Sequence, residues 1–84
     1  MKHKAPIVEV TWVDSAFNRG WGSHENKVRD MNIETCRTVG FLLAKTTREV
    51  KVAQSLSDDS FADGISIPRE CVRRIKRLAR LGKW

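Results

Sequence analysis

The side chains best suited to chemistry are cationic and crowd into one end of the chain. Arg69, Arg73, Arg74, Lys76, Arg77, Arg80 and Lys83 fall within residues 68–84 beside a single acid, Glu70, so this stretch carries a net +6. The other nine basic residues are matched by nine acids, which places the whole net charge of +6 in the final fifth. Guanidinium and ammonium groups this close together suit phosphate neutralisation, which releases counterions and gives salt-sensitive, sequence-indifferent affinity for nucleic acid. Arg69, Arg73, Arg74, Lys76, Arg77 and Arg80 are therefore the candidate nucleic-acid contacts. Two competing readings stand beside this one: a solvated face whose arginine stems cover apolar surface, and a docking face for an acidic protein.

Other reactive residues form weaker constellations. Trp21, set between Gly20 and Gly22, suits base stacking, or else a lid docked on a small core that needs every large residue. The lid is the first expectation. Asp14 and His24 are the one acid–base pair on offer, yet an Asp that closes a strand ordinarily accepts backbone N–H bonds in a turn. Asp58, Asp59 and Asp63 surround a turn without the spacing of a calcium loop. Cys36, Cys71, His3 and His24 are scattered in a way that matches no zinc site, and the two cysteines read as small buried hydrophobes. There is no Gly-rich phosphate loop, no nucleophile elbow and no H-E-x-x-H. These residues imply no enzyme, no cofactor and no metal.

The elements that position these groups follow from periodicity. Residues 1–6 are polar, contain Pro6 and are expected to fray. In residues 7–13, Val8, Val10 and Trp12 alternate with Glu9 and Thr11, a period-2 strand. Residues 15–33 form a long irregular stretch in which Ser23 offers an N-cap for a short helical turn. Residues 36–45 alternate again and become apolar on both faces, with Gly40 suggesting a bend or bulge. Thr46, Thr47 and Arg48 turn the chain into a further alternating strand over 49–57, which makes a hairpin. A polar turn over 58–64 expects Gly64 in the left-handed region. A short strand, 65–67, then stops at Pro68. Val72, Ile75, Leu78 and Ala79 recur every three or four residues, so the first expectation there is an amphipathic basic helix closed by Gly82. The alternative is one helical turn at 68–71 followed by a last strand over 72–78.

Eighty-four residues bury only roughly 60–65% of the surface of the unfolded chain, so these pieces make one small domain. The fold class is mainly β with a C-terminal helix, as a small open antiparallel barrel of the SH3-like or Sm-like kind. Residues 1–6 are a flexible N-terminus and 7–84 the barrel domain with its basic C-terminal helix or turn-plus-strand. No run approaches the roughly 18 apolar residues of a membrane span, and the basic start lacks the pattern of a secretory signal.

With those elements in place, the chain resembles a set of short uncharacterised proteins of bacteriophages and prophages. The residues that carry the resemblance are Val10, Thr11, Trp12, Val13, Asp14, Ser15 and Ala16 followed by Gly20 and Trp21. Thr38, Val39, Gly40, Phe41, Leu42 and Leu43 follow, and then Ile67, Pro68, Arg69, Glu70, Cys71 and Val72 with Ile75. The similarity spans residues 8–78. It implies phage or prophage provenance and a non-enzymatic accessory role, and transfers no activity; the start that is unlike a secretory signal leads us to expect the cytoplasm of the bacterial host. The expected function is thus a small binding module that contacts DNA or RNA through its basic end. The alternatives are a protein–protein adaptor acting on a host protein, or a homo-oligomer paired through exposed strand edges.

Overall fold

Alternation builds this molecule, and where alternation is interrupted the chain bulges rather than stops. The computed structural model describes residues 5–15 and 20–79. Its elements are β1 (Ile7–Asp14), α1 (His24–Asp30), β2 (Glu34–Lys45), β3 (Glu49–Leu56), β4 (Phe61–Pro68), a 3-10 turn (Arg69–Cys71) and β5 (Val72–Ala79). The strands form one antiparallel sheet in the order β4-β3-β2-β1-β5. The protein is mainly β, and β4 and β5 are the sheet's two edges.

The core is small and drawn from both halves of the sheet. Val8 and Val10 of β1, Val50 and Val52 of β3 and Ile67 of β4 are each at most 2% exposed. Trp12, Leu42, Cys71, Val72 and Ile75 pack against them. Burying each such aliphatic side chain stabilises the fold by about 1.5–3 kcal/mol. Trp12 satisfies its indole by donating Nε1–H to Thr38 Oγ1 at 2.9 Å on the neighbouring strand. The 3-10 turn touches both β1 and β3, and Arg69 N donates to Arg48 O at 2.9 Å, tying that turn to the β2–β3 connection.

Two local devices shape β2. The register jumps by one residue at Leu43, between the pairs Leu42–Val52 and Ala44–Lys51, so the bulge lies there rather than at Gly40. Gly40 serves a different purpose. A Cβ on it would sit 2.5 Å from the Ala53 carbonyl oxygen and 2.7 Å from Val52 Cγ1, so the bare backbone is what lets β3 come close.

The C-terminal helix is overturned. Residues 72–79 are a strand behind a 3-10 turn, the arrangement held as the alternative, and the reason is visible in the register. Trp12 pairs with Val72 and Thr11 with Arg74, which leaves Arg73 as an extra bulged residue; Val8 pairs with Arg77 and Ile7 with Ala79, which leaves Leu78 as another. One bulge converts a spacing of two into a spacing of three, so Val72 and Ile75 both face the core from a strand. Pairing with β1 outweighs a weak helical preference.

Smaller departures have equally plain causes. Ala5 and Pro6 do not fray: Ala5 is buried and Pro6 O accepts from Leu42 N at 2.9 Å. Residues 1–4 of the proposed flexible N-terminus lie outside the described residues. The left-handed residue in the β3–β4 region is Asp63 (φ 56) rather than Gly64, a conformation that Asp tolerates better than most side chains. β4 starts at Phe61, earlier than the three-residue strand expected, because Leu56–Phe61 and Ser55–Ala62 already pair. The helical turn after Ser23 exists as α1, with Ser23 Oγ accepting from Asn26 N at 3.2 Å.

Candidate nucleic-acid interface

Directly opposed residues of antiparallel strands share a face, so the register assigns each basic side chain to one. Thr11 of β1 is flanked by Arg74 of β5 and Arg37 of β2, and Glu9 is flanked by Lys76 and Val39. Glu9 and Thr11 alternate with the buried Val8 and Val10, so all six residues stand on the face away from the core. Arg37, Arg74 and Lys76 thus surround Thr11 across three strands that are each about 4.8 Å apart, with Glu9 the one acid among them. None of the three makes a hydrogen bond or ion pair among the described residues, and all three are exposed. Like charges left unpaired at this spacing raise a local positive potential that favours a polyanion.

The remaining predicted contacts are not on this face. Arg77 opposes the buried Val8 and so belongs to the core-facing side at the sheet edge. Arg73 occupies the bulge, and its Nη1 donates to Glu70 O at 2.9 Å. Arg69 sits exposed on the 3-10 turn beside Lys45, Thr46 and Thr47 of the β2–β3 connection. Arg80 lies outside the described residues. The five described candidates are therefore spread over two faces and an edge, because a strand alternates where a helix would have gathered them. Arg37 is the basic residue on this face that charge counting missed. Its signal was present in the alternation of Arg37, Val39 and Phe41 against Cys36, Thr38 and Gly40.

Trp21 does not dock as a lid. It is 102% exposed, in a segment that also exposes Val28, Met31 and Ile33, and among the described residues α1 makes no substantial contact with any strand. A seven-residue helix gains little stability alone, so this arm stands clear of the sheet for want of packing.

The catalytic and metal candidates stay apart. Asp14 Oδ1 accepts from Ser15 N at 2.8 Å, the turn-starting role of an Asp that closes a strand. His24 is exposed at the start of α1 and shares no hydrogen bond with Asp14 among the described residues. Those residues include no group of three potential metal ligands. Cys36 and Cys71 are free and half-buried.

One carboxylate is tuned. The hydroxyl of Ser66 donates to Glu49 Oε1 at 2.8 Å, and Lys51 Nζ lies 3.5 Å from Oε2. The Ser66 hydrogen bond, with Lys51 and then Arg48 adding positive charge, holds the Glu49 carboxyl below its ordinary value. Arg48, Glu49 and Ser66 line a shallow groove with Thr46, Thr47 and Pro68.

Among the described residues no helix is long and apolar enough to cross a membrane. Comparison of the chain with protein-family models, with curated proteins and with solved structures finds no match.

Proposed function

We propose that this chain is a small, non-enzymatic binding module of phage origin that takes the phosphate backbone of nucleic acid on the outer face of β5, β1 and β2. The observation that carries the reading is the placement of Arg37, Arg74 and Lys76 around Thr11 on one exposed face. Arg69, Arg73 and Arg77 flank that face and extend the positive field. We read the architecture as an SH3-like or Sm-like barrel. The strand order β4-β3-β2-β1-β5, the long first connection, the bulged second strand and the 3-10 turn before the last strand support that assignment.

The test is binding of generic duplex DNA, single-stranded DNA and RNA over a salt series. Each phosphate contact contributes about 0.9 to the slope of log affinity against log salt for a duplex. The Arg37→Gln/Arg74→Gln/Lys76→Gln variant should therefore flatten the slope by about 2.7. Over a fourfold rise from about 50 to 200 mM, that is about 40-fold less salt-induced loss than in the parent. No binding near 50 mM, or an unchanged slope in the triple variant, removes the proposal.

A second reading, a protein–protein adaptor, is favoured by the arm that exposes Trp21, Val28, Met31 and Ile33. Apolar groups clustered on a protruding segment suit a partner's groove. Its test is whether Trp21→Ala/Met31→Ala abolishes capture of a host protein from nuclease-treated lysate.

A further inference from the structure

One residue of the outer face does not suit a phosphate ligand. Glu9 stands in register with Lys76 on one side and Val39 on the other, two residues along β1 from Thr11 and its flanking Arg74 and Arg37. It opposes Lys76 directly, yet among the described residues it makes no ion pair or hydrogen bond. Glu9 is only half-buried, so its carboxylate is open to a ligand. An acceptor-only group set among three unpaired cations repels a phosphate and attracts an N–H donor.

The shape of the face bears on what that donor is. β5, β1 and β2 lie about 4.8 Å apart, so the face spans about 10 Å between its outer backbones, and β3 continues the sheet beyond β2. The major groove of a duplex is about 12 Å wide and takes a helix or a two-stranded ribbon. A sheet continuing through four strands does not enter it. On a duplex the face therefore meets sugar and phosphate, and Glu9 finds oxygens where it needs donors. A single strand leaves its bases unpaired and can turn an edge toward Glu9. Arg74 and Lys76 are two residues apart along β5, about 6.7 Å, close to the length of one nucleotide in an extended strand.

Resting on the nucleic-acid reading of this face, we infer that its ligand is single-stranded and that Glu9 selects guanine. Guanine presents N1–H and the N2 amino group side by side, two donors that match the two oxygens of a carboxylate. Adenine and cytosine offer one amino group beside a ring-nitrogen acceptor. Thymine and uracil set their one N–H between two carbonyl oxygens that repel Glu9. Val39, 45% exposed next to Glu9, gives the base an apolar surface, while Arg37, Arg74 and Lys76 hold the flanking phosphates. In a duplex the same guanine edge is occupied by cytosine.

The experiment is fluorescence anisotropy of the full chain at low salt with labelled strands of about eight nucleotides. One strand is all thymidine, a second has one central guanine, and a third has hypoxanthine there, which keeps N1–H and lacks the amino group. Each is tested in deoxyribose and ribose form, and the tighter form identifies the sugar. The guanine strand should bind about tenfold tighter than the all-thymidine strand, the lower part of the range for a bidentate base contact, because Glu9 is partly solvated. Hypoxanthine should lose most of that gain, and annealing each strand to its complement should abolish it. Glu9→Gln, with a urea midpoint near the parent's, should bind the all-thymidine strand at least as tightly and lose the preference for guanine. The hypoxanthine strand changes the ligand alone, so it carries the test if the variant is unstable. Absence of binding by every strand removes the nucleic-acid reading itself. Salt-sensitive binding that ignores guanine, a gain that hypoxanthine keeps in full, a gain that persists in the duplex, or a folded Glu9→Gln protein that still prefers guanine overturns this inference alone.

Discussion

Replacing Gly40 with alanine puts the account of β2 at risk, because two effects of opposite sign compete there. Gly40 has no positive φ; among the described residues positive φ occurs at Gly20 and Asp63 alone. Alanine is thus compatible with the backbone, and on conformational grounds it should stabilise the strand by about 0.5–1 kcal/mol. Packing says the reverse. The new Cβ would meet the Ala53 carbonyl oxygen at 2.5 Å and Val52 Cγ1 at 2.7 Å, where ordinary contacts lie near 3.5–4.0 Å. The first clash is with backbone, and Val52 is itself buried, so neither neighbour can step aside freely. Overpacking of this kind costs about 1–3 kcal/mol, which outweighs the conformational gain and leaves a net destabilisation of about 1–2 kcal/mol. Gly64→Ala is the control: its Cβ would meet the ring of Phe61 at 2.8 Å, and that ring is exposed and can swing away. Urea unfolding of the three proteins should give a lowered midpoint with unchanged m for Gly40→Ala and a midpoint near the parent for Gly64→Ala. A raised midpoint in Gly40→Ala would refute the close approach of β3.

Further outcomes follow from other parts of the structure. Ile67→Ala should lose about 2–5 kcal/mol, because Ile67 is 1% exposed in the core, whereas Leu78→Ala on the bulge should lose under about 1 kcal/mol by the same chemical denaturation. Asp14 and Glu34 face one another at the end of the β1–β2 ladder, so a four-residue turn can replace residues 15–33. Shortening that connection from about 19 residues to four should raise stability by about 1 kcal/mol, and a loss of β circular dichroism would show that the arm packs on the sheet. Glu49 is held below its ordinary value of 4.5, so its contribution is present above pH 4.5 and fades as pH falls through the lower folded value. A carboxyl NMR titration of Glu49 with its midpoint at or above 4.5 would contradict the Ser66 and Lys51 contacts.

The sequence exposed the sheet because four of its five strands keep a period of two over at least part of their length. Val8, Val10 and Trp12, and likewise Val50 and Val52, could be assigned to the core without coordinates. The fifth strand was hidden by its own bulges: with Arg73 and Leu78 set out of register, Val72, Ile75 and Leu78 imitate one face of a helix. That misreading also changed where the basic residues were expected to stand, since a helix would have gathered Arg69, Arg73, Arg74, Lys76 and Arg77 on one side. The candidate face was half legible. Charge counting singled out Arg74 and Lys76, but Arg37 joins them only through pairing with β1, and no local pattern specifies which strands pair. Trp21 was misplaced for a related reason: a large aromatic residue between glycines suggests a lid, yet α1 beside it presents no apolar stripe to hold it down.

On the proposed reading, the face formed by β5, β1 and β2, and not the C-terminal segment as such, meets nucleic acid. Amide chemical-shift mapping of the protein titrated with a short generic DNA duplex at low salt tests this most directly. The largest shifts should fall at Glu9, Thr11, Arg37, Val39, Arg74 and Lys76, residues separated in sequence and joined by register. Shifts confined to residues 69–79, with β1 and β2 silent, or confined to the arm around Trp21, would contradict it.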